Sequence, residues 1–421
     1  MSFGNVPRDL CLTSLATARS IASKSANAFF SADIRTVGSL LQYQRSPGVW
    51  VTAADASPTA PSTQLGSVYT VPFNSYSISS SLNGSILAFG FIALAYGDTI
   101  VSIFTNTAGL YTETTIPLPA SAINISFPFD DPPFVSLNDA GDVLALGIPC
   151  DDNKIGAVWL YAFDGTNWTL QGSKITGVGE IGPGFFGYLV SLNGAGNLLA
   201  VGCYQDNNDN GSVYIYNLNN LSAPVFVQKL LNTVAGSTGF GFGLSLSADG
   251  STLAVSNVPQ ENTQIFVYTN VKGIWTQQAS LKFPLYFLLV AFPKSLSADG
   301  NTIVISSVTN AVIFYRNSGL NWSSGALLPV PYNLVGEPQG YYAYISHDGN
   351  TILTSSQINN NYVGASWIFT QGLPGTWTQN GPGLIGTGGT PSSHQGTGGT
   401  LSGDGKVVAL GNVAKEFWVF V

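Results

Sequence analysis

The stretch "GFGFGLSLSADGSTLAVSNV", residues 239–258, decides how the rest of the chain is read. Its glycines suggest a phosphate cradle, its aspartate a calcium loop, and its order the punctuation of a repeat. A phosphate loop needs a helix N-terminus after the glycines, with a lysine or an acidic residue at a fixed offset. Here an apolar, strand-like run follows the glycines. The same grammar returns in "SSSLNGSILAFG", "VSLNDAGDVLALG", "VSLNGAGNLLAVG", "KSLSADGNTIVIS", "YISHDGNTILTS" and "TLSGDGKVVALG".

With the opening phrase that makes seven copies, whose turn glycines are Gly84, Gly141, Gly196, Gly250, Gly300, Gly349 and Gly405. A period of 49 to 57 residues suits four strands and their turns. After each glycine comes an apolar run, a loop, a second run such as "GSVYIY", a tight turn and a strand often opened by tryptophan. The first run is apolar at successive positions, so both of its faces are covered. Trp50, Trp168, Trp275, Trp322 and Trp377 open fourth strands, and Trp159, Trp367 and Trp418 lie in third strands. Recurrence at one structural address favours packing over an exposed sugar platform.

Seven four-stranded sheets that bury both faces are most simply arranged radially, because a closed ring has no end sheet. The expectation is an all-β chain forming a seven-bladed β-propeller of antiparallel blades. Since the chain ends at a third strand, "EFWVFV", an N-terminal strand should close the ring. Val49–Thr52 is the first choice for it and Val68–Val71 the alternative. "SLLQYQ" at 39–44 reads as another third strand, so a degenerate eighth blade stays open.

Composition agrees with this architecture. Hydrophobic residues at 45% suffice for a large core, while charged residues at 9% leave solubility to Asn, Ser, Thr and Gln. With 48 glycines and 22 prolines, short strands and turns are favoured over helices. A net charge of -8 argues against a nucleic-acid partner, which needs clustered Lys and Arg. Against that trend, residues 1–45 carry Arg8, Arg19, Lys24, Arg35 and Arg45 with only Asp9 and Asp33. The expected division is a basic arm over 1–35 and a propeller over 36–421.

Three cysteines without a CxxC spacing imply no disulfide framework. No signal peptide or transmembrane segment is visible, and "FPLYFLLVAF" at 283–292 is too short to span a membrane. Membrane insertion is therefore not expected.

"GFGFGLSLSADGSTLAVS" followed by "QIFVYTNVKGIWTQQASL", and "GFFGYLVSLNGAGNLLAVG" followed by "GSVYIY", resemble FG-GAP repeats. These are the units of the integrin-α propeller and of many microbial surface proteins. The resemblance covers about residues 74–421. Phe186-Gly187, Phe240-Gly241 and Gly147-Ile148-Pro149 fall where that family carries FG and GAP, and both signatures are missing from 284–370. The resemblance implies a propeller that can bind calcium at a D-x-D-x-D-G turn. The turns here each supply one carboxylate or none: Asp249, Asp299, Asp348 and Asp404 stand alone. Hard cations want several converging oxygens, so these turns are not expected to hold calcium.

A different loop, "YQDNNDNG" at 204–211, places Asp206, Asn208 and Asn210 at positions one, three and five of a calcium loop, with Gly211 at six. Asn217 stands at position twelve where a carboxylate is required. These three residues are the candidate metal ligands, Ca2+ the cation they would take, and no other cofactor is indicated.

Two histidines, His347 and His394, leave Ser/His/Asp and multi-histidine arrangements without parts. A chain that is not an enzyme is expected, acting as a structural or interaction propeller in a virion or at a cell surface. Two alternatives are an integrin-like, cation-dependent adhesion module and a hydrolase using rim carboxylates such as Asp151 and Asp152. Within "FPLYFLLVAF", the six apolar residues Leu285 to Val290 fall in the connection where the fourth copy carries the small polar residues Thr233 to Thr238. Leu285, Phe287 and Leu289 are the candidate protein contact.

Overall fold

The computed structural model describes residues 34–37, 40–46, 49–52, 60–71, 75–91, 99–125, 133–234, 237–257, 264–282, 292–306, 311–317, 321–323, 326–328, 342–356, 363–373 and 375–421. Leu285, Phe287 and Leu289 lie outside them, as do Arg8, Arg19 and Lys24 of the basic arm. Two compact units emerge. One comprises 1–58 with 371–376, and the other 59–370 with 377–421. Within the first, Ile34–Val37, Leu40–Ser46 and Val49–Thr52 form a three-stranded antiparallel sheet. "SLLQYQ" thus belongs to a separate small sheet, and no eighth blade forms among the described residues.

The second unit is a seven-bladed β-propeller. Blades 1 to 6 occupy 75–117, 134–175, 190–231, 243–282, 292–327 and 342–384, each a four-stranded antiparallel sheet in chain order. In blade 7, Gly398–Leu401, Val408–Gly411 and Glu416–Phe420 take Tyr69–Thr70 as their fourth strand. Closure by an N-terminal strand holds, but the first choice for that strand does not. Val49–Thr52 pairs with Leu40–Ser46 instead, and carries Trp50 with it. Phe417 pairs with Tyr69 and their rings stack at 4.9 Å.

Each copy of the repeated phrase spans the first two strands of a blade. The seven turn glycines have φ between 64 and 74°, a conformation that a side chain would strain. Uninterrupted apolar runs form the second and third strands because each strand packs between two sheets. Val158 and Leu160 of blade 2, for example, share one cluster with Val201 and Tyr214 of blade 3. Burying one such large side chain contributes about 1.5–3 kcal/mol. Trp168 and Trp377 open fourth strands as expected, and Trp275 is the second residue of its own. Trp322 bridges to Arg316 ahead of the short fourth strand of blade 5.

Two further devices join the blades. Innermost strands leave one edge unpaired, and serines of the preceding blade cap it. Ser77 Oγ accepts from Val135 N–H at 3.0 Å and Ser79 Oγ from Leu137 N–H at 2.9 Å. Ser136 and Ser191 accept from Leu192 and Leu246 in the same way. At the turns, Leu82 N–H donates to Asp139 O, Asp139 to Gly194, Gly194 to Ala248, and Asp249 to Ala298. Ala298 N–H then donates to His347 O, His347 to Gly403, and Asp404 back to Leu82, so the hydrogen bonds run round the whole ring.

Candidate functional site

Antiparallel blades send their first-to-second and third-to-fourth turns to one face. The second-to-third loops and the connections between blades emerge on the other. On the first face the turn ring narrows the central channel, which holds a cavity of about 230 Å3 walled by Ser79, Ser136, Ser191 and Ser245. His347 and Asp139 also line it. Burial pushes the Asp139 carboxyl above its ordinary range, against the pull of His347.

The second face has a repeated polar construction. Asp151 and Asp206, each 0% exposed, begin the second-to-third turns of blades 2 and 3. Asp151 Oδ1 accepts from Ile123 N–H at 2.8 Å and its Oδ2 meets Lys174 Nζ at 2.5 Å. Asp206 Oδ1 accepts from Ile181 N–H at 2.8 Å, and its Oδ2 takes Lys229 Nζ at 2.6 Å. Ser212 Oγ and Tyr214 Oη also donate to Asp206 Oδ2, at 2.5 and 3.1 Å. Burial raises the Asp206 pKa, but the bonds from Lys229, Ser212 and Ile181 outweigh it and hold the carboxyl below its ordinary value. Lys174 also stands over the Trp159 ring, and Lys229 over Tyr214. Each aspartate therefore anchors the connection arriving from the previous blade.

After each anchor the chain turns left-handed for three residues. Asp152, Asn153 and Lys154 have φ of 47, 58 and 73°, and Asn207, Asn208 and Asp209 of 55, 57 and 64°. Asn and Asp tolerate this conformation best among side-chain-bearing residues. The run that reads as half a calcium loop is also what such a turn requires. Of the three candidate ligands, Asp206 is buried on its lysine, whereas Asn208 and Asn210 are exposed. The Asn210 amide donates to Asn207 O at 2.8 Å. A cation seated on Asp206 would compete with the Lys229 ammonium. Asp151 and Asp152 diverge similarly, since Asp151 is buried in its ion pair while Asp152 Oδ1 accepts from the Asn124 amide at 3.0 Å. Among the described residues no group of three or more His, Cys, Asp and Glu converges as a metal site.

Sequence reasoning missed Lys174, Lys229 and Glu180. One signal was present: both lysines follow their aspartates by 23 residues. Glu180 lies in the connection between blades 2 and 3, where Gly184 N–H donates to its Oε1 at 2.9 Å. Its Oε2 is buried without a partner. Burial is the largest influence on this carboxyl, and with the Asp206 charge it pushes the pKa up to about 7. Burial also drives the neighbouring Cys203 thiol far above its ordinary range, which keeps it in the thiol form.

Above these anchors, large aliphatic side chains face solvent. Ile123 is 44% exposed, Val178 50% and Ile181 57%. Ile155 and Leu231 are exposed as well. No described helix is long and apolar enough to cross a membrane.

No protein-family model matches the sequence. No curated protein matches it either. Among solved structures the chain is similar to one from Kuenenia stuttgartiensis hydrazine synthase, with a TM-score of 0.56 and 12% identity over 85% of this chain and 98% of that one. It is also similar to a Lactobacillus plantarum protein, with a TM-score of 0.53 and 15% identity over 77% and 88%. At such identities the likeness shows the fold alone. It nevertheless corrects one expectation: a chain of similar fold belongs to an enzyme, so the propeller gives no ground for excluding enzymatic activity.

Proposed function

We propose that the chain is an FG-GAP-type propeller that makes protein contacts through the face carrying the Asp151 and Asp206 anchors. In this reading it is a component of a larger assembly, on a virion or at a cell surface. The observation that carries it is the placement of Ile123 and Ile181. Both side chains stand in solvent while their own backbone N–H groups are tied to buried, ion-paired carboxylates. Apolar groups held rigidly outward cost little further entropy when a partner covers them.

The FG-GAP assignment draws support from two equivalent bridges. Phe186 pairs in parallel with Gly156 of the preceding blade and Phe240 with Gly211, both phenylalanines fully buried. Gly147 is approached so closely by the carbonyl of Gly187 that no Cβ would fit there. Phe186-Gly187 thus meets Gly147-Ile148-Pro149 of the preceding blade.

Lysine footprinting of the chain in its native assembly and after purification tests the contact reading. Lys154, beside Ile155, should be protected in the assembly, and Lys272 and Lys406, in turns of the opposite face, should react equally in both. Equal reactivity of Lys154 in the two states would overturn it.

A further inference from the structure

The connection 176–187, "TGVGEIGPGFFG", contains five glycines and a single charged residue, Glu180. The body of the propeller holds it at several points. Tyr216 Oη donates to Thr176 O at 2.9 Å, Lys229 Nζ to Gly179 O at 2.7 Å, and Asn207 N–H to Ile181 O at 3.0 Å. The Glu180 side chain folds inward over a cradle shaped by glycine. A Cβ on Gly177 would sit 2.6 Å from Glu180 Oε2, and one on Gly184 would sit 2.7 Å from Oε1 and 2.6 Å from Cys203 Sγ. The carboxyl therefore fits only because those two positions lack side chains, and one of its oxygens finds no donor inside.

We infer that Glu180 is a proton-operated latch on this connection: as a neutral acid it stays in the cradle, and as a carboxylate it leaves for water and loosens the backbone carrying Val178 and Ile181. The inference rests on the contact face proposed above, whose apolar groups the latch would position. A neutral acid bears no charge against Asp206, and an unpartnered hydroxyl costs less to bury than an unpartnered carboxylate oxygen. An ionised one leaves a charged oxygen without a partner in a half-buried site.

The ionisable groups around it come from three strands and a turn. Cys203 lies on the second strand of blade 3, Tyr214 and Tyr216 on the third, Lys229 on the fourth, and Asp206 on the turn. The thiol and phenols stay neutral across the relevant range, and Asp206 stays ionised. Burial and the Asp206 charge push the Glu180 pKa up and prevail over the Gly184 N–H, the Cys203 thiol and Lys229, which pull it down. The released carboxyl returns to an ordinary value near 4.5, against about 7 in the cradle. Protons therefore favour the closed form. The latch is complete below about 4.5, weakens as pH rises towards about 7, and changes no further above it.

Hydrogen exchange on the isolated chain tests this without a partner. After correction for intrinsic rates, protection of the Ile181 and Gly184 amides should fall at least about tenfold between pH 5 and pH 7.5, since each pH unit inside the window changes opening by up to tenfold. Amides of Thr351–Ser356 should not change. Glu180→Gln should abolish the dependence. Carbon-13 labelling of the five glutamates provides a second reading on the unaltered chain: the Glu180 carboxyl should titrate well above the others. Protection that is flat with pH, or an ordinary Glu180 titration, overturns the latch. A pH-dependent connection together with an unprotected Lys154 in the assembly would keep the latch and overturn the contact face.

Discussion

His347 Nε2 in blade 6 lies 3.6 Å from Asp139 Oδ1 in blade 2, three blades away round the ring. The two turns face each other across the channel, so this contact exists only in the closed propeller. Burial raises the Asp139 pKa and His347 opposes the rise. Replacing His347 with alanine should move the Asp139 carboxyl further up, as read from its carbon-13 titration. An unchanged midpoint would show that the pair does not interact in solution.

Serine stitches between blades should contribute measurably to stability. In Ser191→Ala the Leu246 N–H loses its acceptor, at a cost of about 1 kcal/mol because channel water can partly replace the hydroxyl. Urea denaturation of the variant checks this, and a midpoint equal to that of the wild type would assign the stitch no net role.

Lys229→Met leaves the Asp206 carboxylate buried without its cation, and breaking a buried pair costs about 3–5 kcal/mol. The bonds from Ser212, Tyr214 and Ile181 place the expectation at the lower end of that range. The pH dependence should change as well. In the wild type the depressed Asp206 pKa contributes stability above the ordinary aspartate value that is lost as pH falls through the folded one. The variant should lose that acid-side sensitivity, as followed by melting temperature between pH 2 and pH 6.

Gly184→Ala places a methyl group against Cys203 Sγ and Glu180 Oε1. Overpacking of this kind costs about 1–3 kcal/mol. It should also expel Glu180 at every pH, so that melting temperature no longer falls between pH 4.5 and pH 7 on account of this group. A variant retaining the wild-type slope would place the slope elsewhere.

Deleting residues 1–58 should leave a cooperative melt, because the closing strand Tyr69–Thr70 remains to pair with Glu416–Phe420. Extending the deletion to residue 71 removes that strand and the Tyr69–Phe417 stack, and should broaden the transition and lower its midpoint. Calorimetry of the two truncations distinguishes them.

What the sequence alone determined lies within single blades. Hairpin strands are neighbours in the chain, so an apolar run, a turn glycine and a tryptophan at a constant offset declare both the pairing and the number of blades. Gly250 needed its positive φ whatever the rest of the molecule did. Part of the candidate face was legible on the same terms, since Asp151 and Asp206 stand at matching places in successive copies. Only the tertiary structure decided the relations between blades. Tyr69 and Val49 head strands of similar composition, and which of them closed the ring depended on contact with Phe417 at the other end of the chain. The serine of "VSL" repeats visibly, yet that its hydroxyl serves the next blade follows from how neighbouring sheets stack. Glu180 gave no signal at all. Its character comes from burial beside Asp206 and from two glycines that leave it room, and desolvation belongs to the assembled surroundings of a residue and not to its place in the chain.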